Sequence, residues 1–244
     1  MRHPFLLPLA VAALLASCSS KDRDNTPVPQ PAVSRGYLRI VNNLSEAPTS
    51  RVSQGPIQLQ VDSKLLGPEA AVATAAPYQP VAVGEHQVQI MLPSTTGTQY
   101  LYFSRLPVAK DQHYSLYTFT GSGTGSQLAK VVPEDAALPA PAAGKVQVRL
   151  LNLSTEQVPV RLEELTAGAP LYANVAAGDV TAYQSLDART YNLLATRTNG
   201  TQAPLFTQPV ALTVGKVYTL VLRGSAYPFA VAPEKLALDV VVDQ

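Results

Sequence analysis

Few residues of this chain carry reactive chemistry. The single cysteine, Cys18, lies in Leu15-Ala16-Ser17-Cys18-Ser19-Ser20. With no second thiol it makes no disulfide within the chain, and its sulfur is left as a nucleophile. The other candidates are His86 and His113, the adjacent acids Glu163 and Glu164, and the tyrosines Tyr100 and Tyr102. Each histidine sits inside an alternating strand pattern with no Cys or second His nearby, so neither has metal-ligand spacing. Glu163 and Glu164 fall on opposite faces of a strand and make no acid–base pair by themselves. There is no G-x-S-x-G elbow, and Gly121-Ser122-Gly123-Thr124-Gly125-Ser126 lacks the lysine of a phosphate loop. No catalytic residue, metal or cofactor is expected, and the expectation is a protein that is not an enzyme. A site assembled from distant residues is the exception this reasoning leaves open.

The neighbourhood of Cys18 gives the thiol its use. Met1-Arg2-His3 is basic, Pro4 to Ala16 is apolar, and the residues before Cys18 are small, the order of a secretory signal peptide. The apolar run is about 13 residues, short of the roughly 20 that span a bilayer. Leu15-Ala16-Ser17-Cys18 resembles the bacterial lipobox. That resemblance implies cleavage before Cys18, a diacylglycerol thioether on its sulfur and an acylated amine. At about 0.8 kcal/mol per buried CH2, three acyl chains hold a protein firmly to a membrane. Lys21-Asp22-Arg23-Asp24 looks like the charged tag of Bacteroidetes-type surface lipoproteins, and equally like the start of a solvated tether. The expected location is the bacterial cell envelope, lipid-anchored at the outer membrane.

Removal of residues 1–17 takes one arginine from a chain of net charge +1 and leaves no formal charge. Without a basic cluster, nucleic acid is not an expected partner. Pro27, Pro29 and Pro31 alternate in a segment suited to polyproline II, so residues 18–35 read as a spacer reaching up to about 50 Å. A second Pro/Ala segment, 133–143, reads as a linker between repeats at 36–132 and 144–244. Three motifs recur in order across it. Arg39-Ile40-Val41-Asn42-Asn43-Leu44-Ser45 matches Arg149-Leu150-Leu151-Asn152-Leu153-Ser154. Tyr78-Gln79-Pro80-Val81 matches Tyr183-Gln184-Ser185-Leu186, and the strand at Tyr114 matches that at Tyr218.

Each repeat is a series of short alternating runs. Strands are expected at Tyr37–Asn42, Ile57–Val61, His86–Leu92, Gln99–Leu106 and His113–Phe119. In the second repeat they are expected at Val146–Asn152, Tyr191–Thr196, Val217–Leu222 and Leu236–Val242. Glu69–Ala76 is alanine-rich but bracketed by Pro68 and Pro77, which allows a turn or two of helix at most. The predicted fold is all-β, two tandem antiparallel Ig-like β-sandwich domains. The Asn-Leu-Ser runs at Asn43 and Asn152, and Asn199-Gly200-Thr201, match a glycosylation sequon, but Asn and Ser at a strand exit are expected to cap the turn.

These residues carry a family resemblance. The R-x-V-N strand end, the Val61-Asp62 turn, the unit through Tyr78, Val81, Gly84, His86 and Val88, and Gly215-Lys216-Val217-Tyr218-Thr219-Leu220 resemble domain of unknown function 4397. The resemblance implies a secreted or lipid-anchored bacterial β-sandwich and no established activity. Arg189 stands in place of the glycine, Glu163 where Asp62 does, and Asp111-Gln112 replaces Gly-Lys in the first copy.

Function is then expected from a surface. Tyr100 and Tyr102 alternate with Leu101 and Phe103; if the latter two face the core, both tyrosines face solvent and offer a binding surface. The expected role is a non-catalytic binding or interaction module with a glycan or protein ligand. The absence of tryptophan argues against a carbohydrate module. A purely structural spacer and an envelope glycan or peptide hydrolase are the alternatives.

Overall fold

The computed structural model describes residues 33–44, 55–94, 97–120, 127–134, 138–156, 158–166, 169–199, 204–225 and 235–243. Cys18 and the proline-rich tether lie outside them, as does the 121–126 glycine run. The described residues form strands and turns without helix. The Glu69–Ala76 segment supplies an isolated bridge at Ala70, a turn and one two-residue strand.

The first half contains β1 (Arg35–Asn43), β2 (Gln58–Val61), β3 (Lys64–Leu65), β4 (Thr74–Ala75), β5 (Gln79–Ala82), β6 (Gly84–Ser94), β7 (Gly97–Val108), β8 (His113–Thr120) and β9 (Gln127–Glu134). The second contains β10 (Lys145–Ser154), β11 (Val160–Glu164), β12 (Pro170–Val175), β13 (Gln184–Asp187), β14 (Thr190–Arg197), β15 (Phe206–Ala211), β16 (Val217–Gly224) and β17 (Ala237–Val242). One first-half sheet runs β4-β1-β8-β9 with β5 also beside β1; the other runs β3-β2-β6-β7. The second half repeats this order as β13-β10-β16-β17 and β12-β11-β14-β15. Among these named strands pairing is antiparallel except for β1 with β8 and β10 with β16, which are parallel. The residues between those partners supply the long crossover a parallel pair requires.

Each half has its own core between its two sheets. Leu38, Ile40 and Leu116 meet Leu59, Val88 and Ile90 in the first. Val148, Leu150 and Leu220 meet Leu162, Leu193 and Ala195 in the second. A third buried cluster joins the halves: Val41, Tyr117 and Val132 pack with Leu151, Leu153, Val221 and Val241. The central strands are therefore buried on both faces. Burial along β10 and β16 is accordingly nearly continuous and takes in polar residues such as Arg149 and Thr219. Glu134, placed by the sequence in the linker, is instead the last residue of β9 and is 2% exposed.

Local turn chemistry explains one matching feature of the family pattern and one departure from it. Asp62 and Ser63 link β2 to β3 with φ of 48° and 64°, a two-residue turn that favours small polar side chains. Asp111 (φ 58°) and Gly215 (φ 78°) hold the same place before β8 and β16. Each donates its backbone N–H to the opening of the first strand, at Arg35 and Lys145. Aspartate tolerates this left-handed geometry, so it can stand where the other half has glycine.

Candidate functional site

Burial on both faces of the central strands brings charged residues of the two halves together. Arg39 alternates with Leu38 and Ile40 on β1, and Arg149 with Val148 and Leu150 on β10, so both guanidinium groups leave their own cores and enter the joint. Arg39 Nε donates to Ser115 Oγ at 2.7 Å and Nη2 to Asp243 Oδ1 at 2.5 Å. Arg149 Nε donates to Thr219 Oγ1 at 2.9 Å and Nη2 to Glu134 Oε1 at 2.8 Å. Each arginine thus binds a hydroxyl of its own half and a carboxylate of the other, Glu134 at the end of β9 or Asp243 just past β17. Tyr78 lies beneath Arg39 at 4.6 Å and Tyr183 beneath Arg149 at 4.7 Å. Tyr78 shares a 2.9 Å hydrogen bond with Ser115, and Tyr183 donates to Asp243 at 3.1 Å. Arg39 is 4% exposed and Arg149 is 5% exposed, so the exchange is screened from water. A second link crosses nearby, where Asn43 and Arg223 both donate to Asp239 Oδ2, at 2.8 and 2.7 Å.

The cluster is electrostatically closed. Burial works against both guanidinium charges, but Tyr117 and the facing carboxylates hold them above the ordinary arginine value. Burial pushes the Tyr117 hydroxyl up to about 12, with Asp243 and Glu134 adding to the effect. Glu134 and Asp243 are each engaged by an arginine of the opposite half. The chemistry of such a site is cohesion between halves.

The sequence candidates are scattered around this joint. Tyr100 is 62% exposed, but Tyr102 is half-buried and packs on the first-half core beside Leu101 and Leu106. Phe103, expected in the core, is 63% exposed. The cause is a register shift: Ile90 pairs with Tyr102 and Met91 with Tyr100, leaving Leu101 as an extra residue. Such a bulge reverses the phase of alternation, so Tyr100 and Tyr102 do not form one outer pair; Tyr100 and Phe103 do. His86 Nδ1 lies 2.6 Å from Asp62 Oδ2, and Nε2 2.8 Å from the Ala82 carbonyl. His113 stacks on Tyr37 at 4.5 Å and meets the edge of Tyr78 at 4.8 Å, next to the joint.

Glu163 and Glu164 point apart as expected, Glu163 to Arg161 and Glu164 to Arg189. The residue in the place of Asp62 is Leu165 rather than Glu163, because Leu165 N binds Asn192 O as Asp62 N binds Gln87 O. Arg189, in the place of the glycine, grips Glu164 at the end of β11 with two hydrogen bonds of 2.6 Å and covers Tyr191. The turn-capping role belongs to Asn42 and Asn152, whose Oδ1 atoms accept from Leu44 N and Ser154 N. Asn43 instead faces the joint. Glu134 and Asp243 gave no signal in sequence, whereas Arg39 and Arg149 stood inside the recurring motif. Among the described residues no cluster of His, Cys, Asp or Glu has the makings of a metal site.

Fold and joint together define an all-β protein of paired sheets whose halves exchange arginine–carboxylate contacts. The family model for a domain of unknown function, DUF4397, matches residues 36–163, and the chain belongs to that family. The match begins in β1 and ends in β11, so it crosses the junction between the halves. No curated protein matches the chain. Among solved structures, the C-terminal domain of AlgF from P. aeruginosa is similar at 23% identity and a TM-score of 0.29, over 41% of this chain and 98% of that one. A candidate cell adhesion protein from Bacteroides fragilis is similar at 10% identity and a TM-score of 0.20, over 86% of this chain and 98% of that one. Both likenesses are remote.

Proposed function

We propose that the protein is a lipid-anchored cell-envelope interaction module, tethered through Cys18 and working without catalysis. The observation that carries this reading is the reciprocal joint. Arg39 to Asp243 and Arg149 to Glu134 commit the buried charges of both halves to holding four sheets together. A body stiffened in this way suits the display of a surface at the end of a tether. The lipobox-like Leu15-Ala16-Ser17-Cys18 and the Pro27–Pro31 segment supply the anchor and the reach. The outer membrane is the location this reading assigns.

The test compares cells carrying the wild-type chain, the Cys18→Ser variant and no chain, for adhesion to surfaces coated with extracellular polymers and for acyl labelling. Wild-type cells should be labelled and adhere, and the other two should do neither. Equal adhesion by cells lacking the chain contradicts the reading. So does hydrolysis of the coating by the purified protein.

A further inference from the structure

The outer face of the β3-β2-β6-β7 sheet differs in chemistry from the matching face of the other half. Gln58 and Gln60 on β2, and Gln87 and Gln89 on β6, alternate with the core residues Leu59, Val61, Val88 and Ile90, so all four amides lie on the outer side. Gln60 pairs with Gln89 and Gln89 with Phe103; Gln58 pairs with Met91 and Met91 with Tyr100. The result is two rows of amide, apolar and aromatic side chains ending at the exposed rings of Tyr100 and Phe103. Among the described residues, the amides of Gln60, Gln87 and Gln89 make no side-chain hydrogen bond, so each keeps two donors and an acceptor. Opposite Gln87, Arg105 meets Glu85 at 3.2 Å, and Gln58 Nε2 donates to Glu69 at 2.5 Å.

On the matching face, Arg161 and Glu163 occupy the places of Gln58 and Gln60 and pair with each other. Leu194 stands where Gln89 does, and Thr207 where Phe103 does. One strand plan has thus been given a charged, self-satisfied face in one half and, in the other, a face of free amides and rings whose charged residues, Arg105 and Glu85, pair with each other.

We infer that the first-half face is a platform for a neutral glycan; the inference rests on the interaction-module reading above and names its ligand class. Amides both donate and accept hydrogen bonds, as sugar hydroxyls do. The rings of Tyr100 and Phe103 offer flat apolar area to the C–H faces of a pyranose. The absence of tryptophan counts against a carbohydrate module on sequence alone; the exposed rings of Tyr100 and Phe103 are what supply stacking area in its place. Among the described residues, the cation on this face, Arg105, is paired with Glu85, so the face has no free cation to draw an anionic polymer.

The experiment is affinity electrophoresis of the full-length protein in detergent, through gels holding dextran, mannan or mixed-linkage β-glucan, with polygalacturonate as the anionic comparison. The wild type should be retarded in at least one neutral gel and not in polygalacturonate. Phe103→Ala combined with Gln89→Ala should weaken that retardation by about tenfold or more, the loss expected of a central contact. Arg161→Ala should leave it unchanged, and matched unfolding midpoints exclude a folding defect. Free migration in every neutral gel overturns the inference, as does retardation that the double variant retains. The cell-adhesion assay separates the two readings. Adhesion without glycan binding removes the glycan and leaves the module, with sensitivity to Phe103→Ala then marking a protein ligand. Absence of both adhesion and glycan binding removes both.

Discussion

Substitution of Arg149 by methionine removes a charge from the joint while keeping most of the side-chain bulk. It strands Glu134, which is 2% exposed and has its Oε1 4.0 Å from the guanidinium of Arg39. Arg39 is already committed to Asp243, so it compensates only in part. Breaking a buried pair from one side costs about 3–5 kcal/mol, and the residual attraction of Arg39 places Arg149→Met near 3 kcal/mol. Against a total stability of about 5–15 kcal/mol this is a large fraction. Arg161→Met is the control. It removes a pair whose arginine side chain is 32% exposed and should cost about 0–1 kcal/mol. Urea unfolding followed by far-UV circular dichroism, with slopes compared, reads both. Replacing Glu134 by leucine in the Arg149→Met background should recover most of the loss, since an apolar pair of similar volume is often neutral. A loss no larger than that of Arg161→Met would refute the buried exchange. Failure of the double variant to recover would show that a stranded carboxylate is not its cause.

Cys18→Ser should abolish acyl labelling and leave uncleaved precursor or released protein, read by metabolic labelling and fractionation; normal acylation of the variant contradicts the anchor. Burial, the largest single effect on His86, works to lower it, but the hydrogen bond to Asp62, the bond to the Ala82 carbonyl and the Asp62 charge together raise it above 6.5, while Asp62 is held below 3.8 chiefly by its bond to His86. The histidine's share of stability is therefore complete below pH 6.5 and lost as pH rises through its folded value. The aspartate's share is present above 3.8 and lost as pH falls through its own. An NMR titration should place the His86 midpoint above 6.5 and lower it in Asp62→Asn; a midpoint at or below 6.5 in the wild type contradicts the pairing. Asp111→Gly should leave the unfolding midpoint nearly unchanged, because φ at this position suits glycine, whereas Asp111→Val should lower it.

Strand positions were legible wherever one face of a strand meets a core and the other does not. Gln58, Leu59 and Gln60 alternate in the sequence as they do in the sheet. The aromatic pair was misjudged because the extra residue at Leu101 has no signature in the surrounding apolar and aromatic residues, and it turns Tyr102 inward and Phe103 outward. The joint was hidden for another reason. Its arginines stand in the recurring motif, but their partners are a glutamate next to a proline-rich segment and an aspartate beyond the last strand. Neither acid resembles the other in sequence context. Burial on both faces also erased the alternation that would have shown β1 and β10 to have a second contact surface. The Asn42 and Asn152 equivalence was offset by one residue, because Asn43 follows Asn42 directly and only hydrogen bonding separates a turn cap from a joint residue.

The most direct test of the joint is to cut the chain without removing anything. A protease site placed within residues 138–142, which lie outside the strands, allows the folded protein to be cleaved between its halves. If the Arg39–Asp243 and Arg149–Glu134 exchange and the shared apolar cluster hold the halves together, the cut chain should elute from size exclusion at the position of the intact one. It should separate only when Arg149→Met is combined with Arg39→Met, or in urea. Elution of two independent halves from the wild-type cut chain in native buffer would contradict the account.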